Sequence, residues 1–456
     1  MTKAAKFEWQ RYPEAEGFIA ERVVEFLQAM PNLQGLSVAL LAHTSSRLFD
    51  WLDHLVLADG DTPRRRMQEL GFEPVEAPAD PGNTVLYHPG SIFPRILLRE
   101  DTGQESGTTV TAAIQVEEIS SFVMANHLPV SEIEGTALSP YRRTNLWQSD
   151  GLEFLAVERR GHSGLVPTVM PPDYPERYLN AYERWATRAR NFSDEQSGME
   201  QTLQLARSLV SDMGTDAAAW IAFSAERAHW QMRNRAGQVQ KANQDKLGLG
   251  WANHDHHTFR SSRHTFPTLI QILETFGFRP RERFYAGAQA GWGAQVMEQP
   301  VCRFAVFADV DLTPDEVEGD FAHNPLPPRQ ELGTVGLWCA LHGEAMLSAG
   351  LHHLAARFDF DAAAEHLASQ GIDSMRPFSD FPYLRQAFTR GERWQVAPDR
   401  LDRLIAAGQI DEQQRAGFEE KGAIGSHLEN IQRAEGFKGF NQQTISDIIR
   451  RTDPRN

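Results

Sequence analysis

Cysteine is almost absent from this chain. Its 456 residues include only Cys302 and Cys339, too few and too far apart for a disulfide framework or a thiolate metal site. Any metal must therefore rest on histidine and carboxylate. Long apolar runs are missing as well: no segment approaches the roughly 18 apolar residues of a membrane-spanning helix. Met1 to Gln10 has no apolar stretch of the secretory kind. The sequence thus predicts a cytoplasmic protein without a membrane partner. Positive charge is the third shortage. Lys and Arg total 45 against 61 Asp and Glu, a formal charge of −16, which repels a phosphate backbone and excludes nucleic acid as a partner. The short run Arg64-Arg65-Arg66 reads as a solvated helix face.

The chain is ordinary globular material, 41% hydrophobic and 23% charged, and its length suggests two domains or one with a large elaboration. Strands are predicted at Leu36 to Leu41, His54 to Leu57, Thr84 to Tyr87, Arg95 to Arg99, Thr109 to Val116 and Leu152 to Glu158. Turn chemistry at Asp59-Gly60, Asp80-Pro81-Gly82 and Asp150-Gly151 separates them. From Pro171 to Asp245 the apolar spacing becomes helical, carried first by Tyr178, Tyr182 and Trp185 and ending on Trp220 to Met232. A second mixed segment follows, with helices on Phe266 to Phe276, Asp361 to Ser369 and Leu401 to Phe418. The fold class predicted is α+β, divided as 1–168 (N-terminal α+β domain), 169–247 (helical connector) and 248–456 (metal-binding catalytic domain).

A weak internal repeat runs through the two mixed segments. Asp53-His54 is followed by a helix and Gly71-Phe72-Glu73-Pro74. Asp255-His256 is followed by a helix and Gly277-Phe278-Arg279-Pro280, with Gly277 where a left-handed cap ends a helix. Strand, helix, strands, with a histidine on the first strand, resembles the βαβββ unit of the vicinal-oxygen-chelate folds, in which two units curl into a cup around a metal. The resemblance implies two cups, at about 33–165 and 250–445.

The densest histidine cluster is Asn253-His254-Asp255-His256-His257-Thr258-Phe259-Arg260. On a strand, His256 and Arg260 point to one face. A metal ligand and a guanidinium along one strand suit a carboxylate substrate, which the arginine grips while the metal takes the other end. A His-rich edge strand with no ligand is the bland alternative. His352-His353-Leu354 before a βα turn, Leu384-Arg385-Gln386 with Phe388, and Glu429-x-x-x-Arg433 complete a set of motifs. Their order is similar to that in the 2-oxoadipate dioxygenase/decarboxylase (hydroxyglutarate synthase) family, over roughly residues 215 to 445.

That resemblance implies His256, His353 and Glu429 as ligands of a divalent metal, Fe(II), and Arg260 as the binder of substrate carboxylate. It also implies O₂ as co-substrate and a small 2-oxo acid that supplies its own oxo group, loses CO₂ and is hydroxylated. Arg260, Gln386 and Arg433 are the candidate catalytic residues, with His427 a further neighbour of the ligands. Arg385 and Arg433 read equally well as salt-bridged rim residues. The first cup departs from the pattern: His54 occupies the ligand position, but its partner strand offers Gln115 or Ala113, and Glu100 or Glu158 as carboxylate leaves the set incomplete. Two further readings stay open, an O₂-independent metal-dependent isomerase or lyase and a non-catalytic small-molecule binder.

Overall fold

The computed structural model describes residues 9–75, 83–99, 110–129, 132–441 and 452–455. The predicted turn at Asp80-Pro81-Gly82, the strand start at Thr109 and the candidate ligand Glu100 lie outside them. Two helices open the chain, α1 (Pro13–Ala29) and α2 (Pro31–Thr44), each with proline in its first turn, where the missing N–H costs nothing. The predicted strand Leu36 to Leu41 is instead part of α2. Leu33, Leu36 and Leu40 recur at helical spacing and are buried, and the helix stops where Ser45 turns left-handed at φ 55°. A short apolar run does not distinguish the two states; the flanking residues do.

The first sheet contains β1 (Leu52–Ala58), β2 (Glu73–Pro74), β3 (Asn83–Tyr87), β4 (Arg95–Arg99), β5 (Val110–Gln115), β6 (Tyr141–Ser149) and β7 (Leu152–Arg159), in the order β2-β3-β4-β1-β5-β7-β6. Helices α3 (Asp61–Glu69) and α4 (Ile119–Ala125) follow β1 and β5. The strand β6 escaped the sequence reading because it is an edge strand whose polar residues Arg142, Arg143 and Asn145 hide the alternation. One face of this sheet packs on the helices through Leu55, Ile114, Phe154 and Ala156. The other is closed by small clusters around Val56, Val85 and Leu97 and around Ala113, Tyr141 and Leu155, with Leu165 from the segment after β7 inserted into the first. Arg159 donates to the carbonyls of His162 and Gly164, which holds that segment in place. The first cup is filled by its own chain.

Four helices follow: α5 (Tyr174–Ala186), α6 (Glu195–Met213), α7 (Thr215–Met232) and α8 (Arg235–Asp245). They share one hydrophobic core with the second sheet, through contacts such as Trp185 with Phe276 and Phe223 with Phe259 and Phe304.

That sheet is two βαβββ modules. The first is β8 (His254–Arg260), α9 (Phe266–Thr275), β9 (Arg279–Tyr285), β10 (Trp292–Gln299) and β11 (Phe304–Asp311). After α10 (Pro314–Glu318), α11 (Thr334–His342) and an irregular turn at Ala345–Ala349 comes the second: β12 (His353–Arg357), α12 (Phe360–Ser369), β13 (Ser379–Phe381), β14 (Leu384–Phe388) and β16 (Ala423–Arg433). Between the last two are β15 (Glu392–Trp394), α13 (Pro398–Ala406) and α14 (Glu412–Lys421). The strand order is β13-β14-β16-β12-β8-β11-β10-β9. The first strands β8 and β12 lie side by side and antiparallel, and each runs parallel to the last strand of its own module. The first sheet repeats the plan, with β1 and β5 as its central antiparallel pair. This is the α+β arrangement of vicinal-oxygen-chelate-like modules that the repeat predicts.

The amphipathic stripe of α9 is fully buried at Phe266, Leu269, Ile270 and Leu273, each worth about 1.5–3 kcal/mol. Leu401 to Phe418 forms two helices and not one, because Gly408 adopts φ 64° and Asp411 then caps α14 by accepting from the Gln414 N–H. The pair packs on α11 through Leu337, Leu341, Leu401 and Phe418. No helix among the described residues is long and apolar enough to cross a membrane.

The turn at Ala345–Ala349 leads directly into β12, and its carbonyls cannot bond regularly because Leu347 is non-helical. Arginines of the helical segment satisfy them: Arg188 reaches Met346 O, Arg190 reaches Leu347 O, and Arg233 reaches Ser348 O and Ala349 O, at 2.7 to 3.0 Å. Glu226, wholly buried, accepts from Arg190 and from Trp185 Nε1 at 2.8 Å and pairs with Arg188 at 2.8 Å. Burial alone would raise its pKa, but Arg188 and Arg190 outweigh burial and pull it down to about 2. Its folded pKa lies below the ordinary 4.5, so the charge stabilises the fold above pH 4.5 and that contribution drains away as pH falls toward 2. Glu226→Gln leaves two buried guanidinium groups without their counter-ion and should cost about 3–5 kcal/mol. A thermal melt at pH 7 should show a lower midpoint, and the difference from wild type should shrink on acidification below pH 4.

Candidate metal centre

Register across the three central strands of the second cup determines the site. His256 on β8 is opposite Ala355 on β12, and Ala355 is opposite Glu429 on β16. His353 is one pleat away on β12, opposite Thr258. With alternation, all of these face the same side of the sheet. Ala355, fully buried and carrying only a methyl group, lets the flanking side chains lean toward each other above it.

Glu429 Oε2 is 3.1 Å from both His256 Nε2 and His353 Nε2, which are 3.3 Å from each other. Among the described residues this is a set of His, Asp, Glu or Cys side chains able to hold a metal ion. Cis donors about 2.1 Å from a common ion stand about 3 Å apart, so the triangle fits one face of a coordination octahedron. The donor set fits a first-row divalent metal.

The surrounding residues orient each donor. His256 Nδ1 is 3.0 Å from Asp255 Oδ1, which directs Nε2 at the ion position. Asp255 is gripped by Arg433 through two bonds of 2.8 and 2.9 Å, and Arg433 is anchored in turn on the carbonyls of Phe437 and Gly439. Gln386 Nε2 donates to Glu429 Oε1 at 2.8 Å, leaving Oε2 for the ion. His353 Nδ1 is 3.2 Å from His352 Nδ1, and Thr258 Oγ1 is 2.8 Å from His353 Nε2. Burial depresses the pKa of His353 to about 4 and that of His427 to about 3. Burial opposes charge on His256 too, but Glu429 and Asp255 prevail and push it up to about 9, while the same histidine draws Glu429 down to about 2 against its own burial.

Of the residues singled out by sequence, His256, His353, Glu429 and Gln386 line one cavity of about 40 Å³ with Asp309, Phe307, Phe388 and Phe440. That is room for a few waters. Arg433 stands outside this cavity and acts through Asp255. Arg260 shares the face as predicted but does not line the cavity: its Nε is 3.8 Å from Asp309 Oδ2, which does. Two of its nitrogens and Asp309 Oδ1 find no hydrogen-bond partner among the described residues. Burial lifts the Asp309 carboxyl to about 8 against the pull of Arg260 and His256. His427 bonds the Thr389 carbonyl at 2.8 Å, and Arg385 pairs with Asp361 and Asp380 on the surface, as its rim reading predicts. Trp292 also lines the cavity.

Sequence reasoning missed Ala355, Asp309 and Phe440. Only their register or fold neighbours mark them out, since alanine, aspartate and phenylalanine are common and carry no signal by themselves. It also misplaced the first-cup partner position. His54 is opposite Ala113, so the counterpart of His353 is Thr111, opposite Val56, and the counterpart of Glu429 is Leu155. Gln115 is not in that row, and Glu158 is committed to Arg142 and Arg160. The orienting array nevertheless survives there. His54 Nδ1 meets Asp53 at 2.7 Å, and Arg159, four residues beyond Leu155 as Arg433 is beyond Glu429, grips Asp53 at 2.6 and 2.7 Å.

No family model matches the sequence, and no curated protein is similar to it at the sequence level. Among solved structures, the chain is similar to a glyoxalase-superfamily protein from Ralstonia eutropha JMP134, at 14% identity and TM-score 0.34 over 60% of this chain and 100% of that one. A variant of 4-hydroxymandelate synthase from Streptomyces coelicolor aligns over 90% of this chain and 99% of its own, at 13% identity and TM-score 0.29. Methylmalonyl-CoA epimerase from Mycobacterium tuberculosis aligns over 40% and 89%, at 14% and 0.23. These likenesses are distant, and the functional reading rests on the site's own geometry.

Two substitutions test the geometry. Ala355→Leu places a branched side chain where the ion belongs, so metal analysis should find the protein folded but with most of its bound metal lost. Asp255→Asn removes the charge that orients His256 and should weaken metal affinity about 10- to 100-fold, measured by competition with a chromogenic chelator.

Proposed function

We propose that the chain is a non-haem Fe(II)-dependent dioxygenase/decarboxylase acting on a small 2-oxo acid, 2-oxoadipate-like in size, which it converts to a 2-hydroxy acid and CO₂. One observation carries this reading: two imidazoles and one carboxylate, 3.1 to 3.3 Å apart, form a triangle whose opposite side opens on a cavity. A 2-His-1-carboxylate face of this kind leaves adjacent positions for a chelating oxo acid and O₂. The balance is R–CH₂–CO–COO⁻ plus O₂ giving R–CH(OH)–COO⁻ plus CO₂; the oxo carbon becomes the new carboxylate and the adjacent carbon is hydroxylated.

Bound Fe(II) would supply the redox chemistry and the electrophilic pull on the oxo group. The chain's own residues prepare the site. Asp255 and Arg433 keep His256 in the tautomer that leaves Nε2 available. Gln386 occupies Glu429 Oε1. The aromatic wall of Phe284, Trp292, Phe307, Phe378, Phe388 and Phe440 keeps bulk water away. Arg260, a buried guanidinium behind Asp309, supplies positive charge toward the substrate's carboxylate through that side chain and does not itself line the cavity. Asp309, its carboxyl pushed up by burial, stands on the cavity wall in front of it.

A cavity-wall carboxyl with a raised pKa also favours a second reading, an O₂-independent isomerase or lyase in which Asp309 carries a proton to or from a carbonyl compound. Dioxygen separates the two. Protein loaded anaerobically with Fe(II) and offered 2-oxo acids of graded length should consume O₂ and release one CO₂ per O₂ with at least one of them. Full metal loading with no O₂ uptake on any acid would sink the dioxygenase reading. Arg260→Ala, which removes the positive charge behind Asp309, should raise KM about tenfold, while bound iron stays near the wild-type level.

A further inference from the structure

A larger cavity, of about 270 Å³, lies between the two sheets and separate from the metal cavity. Six cationic side chains line it against two carboxylates, Asp255 and Glu298. Five of the cations are committed: Arg433 to Asp255, Lys438 to Glu298, Arg303 to Asp53, Arg281 to Glu282 and Arg95 to the Ser163 carbonyl. Arg357, at the end of β12, is the exception. Its backbone bonds Asn253, but its guanidinium has no hydrogen-bond or ion-pair partner among the described residues, and Nε is buried without one. Burial lowers its pKa; Asp255 and Asp50 nearby act to raise it, and Arg303 and Arg433 push it down again.

The nearby carboxylates Asp255 and Asp50 are bonded to Arg433 and Arg47, so a guanidinium that touches neither and has two further arginines beside it is an unfavourable arrangement unless an anion completes it. We propose that this cavity is a second ligand site that binds a small oxyanion, a carboxylate or a phosphate, in the fork of Arg357. The site is independent of the dioxygenase reading, since it requires neither iron nor turnover. Its place in the molecule gives it a consequence. One ring, Phe440, forms part of both cavity walls, with His256 at 5.1 Å and the guanidinium groups of Arg281 and Arg433 at 5.4 and 4.7 Å from its centroid. Arg433 also holds Asp255, and Asp255 holds His256, so an anion near Arg433 draws on the same guanidinium that orients a metal ligand.

The test uses the full-length, metal-loaded protein and two probes, inorganic phosphate and glutarate, in isothermal titrations at low ionic strength. Saturable binding of at least one probe is expected, and the tighter of the two identifies the natural headgroup chemistry. Arg357→Ala should weaken it at least tenfold and Arg357→Lys by less, with bound metal equal in all three proteins. As a measure that needs no variant, phenylglyoxal should modify Arg357 in the wild-type protein, and the binding probe should slow that modification severalfold by peptide mapping. Failure of both probes to bind, or Arg357→Ala binding as well as wild type, would overturn the proposal.

Discussion

The candidate metal centre depends on one constraint, the antiparallel pairing of the first strands of two βαβββ modules. With His256 opposite Ala355, and Ala355 opposite Glu429 on the next strand, donors from three strands converge over a single methyl group. A one-residue slip on any of them would turn its donor to the helix-covered face. The site is therefore a property of register before it is a property of any loop, and a site held on strands is more precisely positioned than one held on loops.

Register alone does not fix where β12 begins. The residues before it form an irregular turn whose carbonyls are claimed by Arg188, Arg190 and Arg233, and the first two are held by Glu226. The helical segment thus does more than link the sheets. Its buried charges support the turn from which His353 emerges, and the same helices cover the sheet behind the cup. Charge from one part of the chain satisfies backbone in another, a long-range debt settled inside the core.

Much of this was legible in the sequence, for identifiable reasons. The stripe Phe266, Leu269, Ile270, Leu273 and the cap Gly277 announce α9, and the paired Asp-His dipeptides announce the repeated module. Order of motifs brought His256, His353 and Glu429 into one candidate set. What stayed hidden depends on contacts between distant strands. Leu36 to Leu41 is too short an apolar run to show its period, and β6 is too polar to show its alternation. Ala355, Asp309 and Thr111 acquire meaning only when register is known. Arg260 lies on the expected face, yet Asp309 stands between it and the cavity, a detail of side-chain packing that alternation does not contain.

The Asp53, His54 and Arg159 array of the first cup has one member that its counterpart lacks. Arg303, from the turn between β10 and β11 of the other sheet, also reaches Asp53. The same three-residue device that aims a ligand in one half therefore serves the other as a clasp between halves, with no ion involved. Only Thr111 and Leu155 distinguish the two uses among the ligand positions. One orienting device thus has two settings, beside a candidate metal site in one cup and in the mechanical joining of the two sheets in the other.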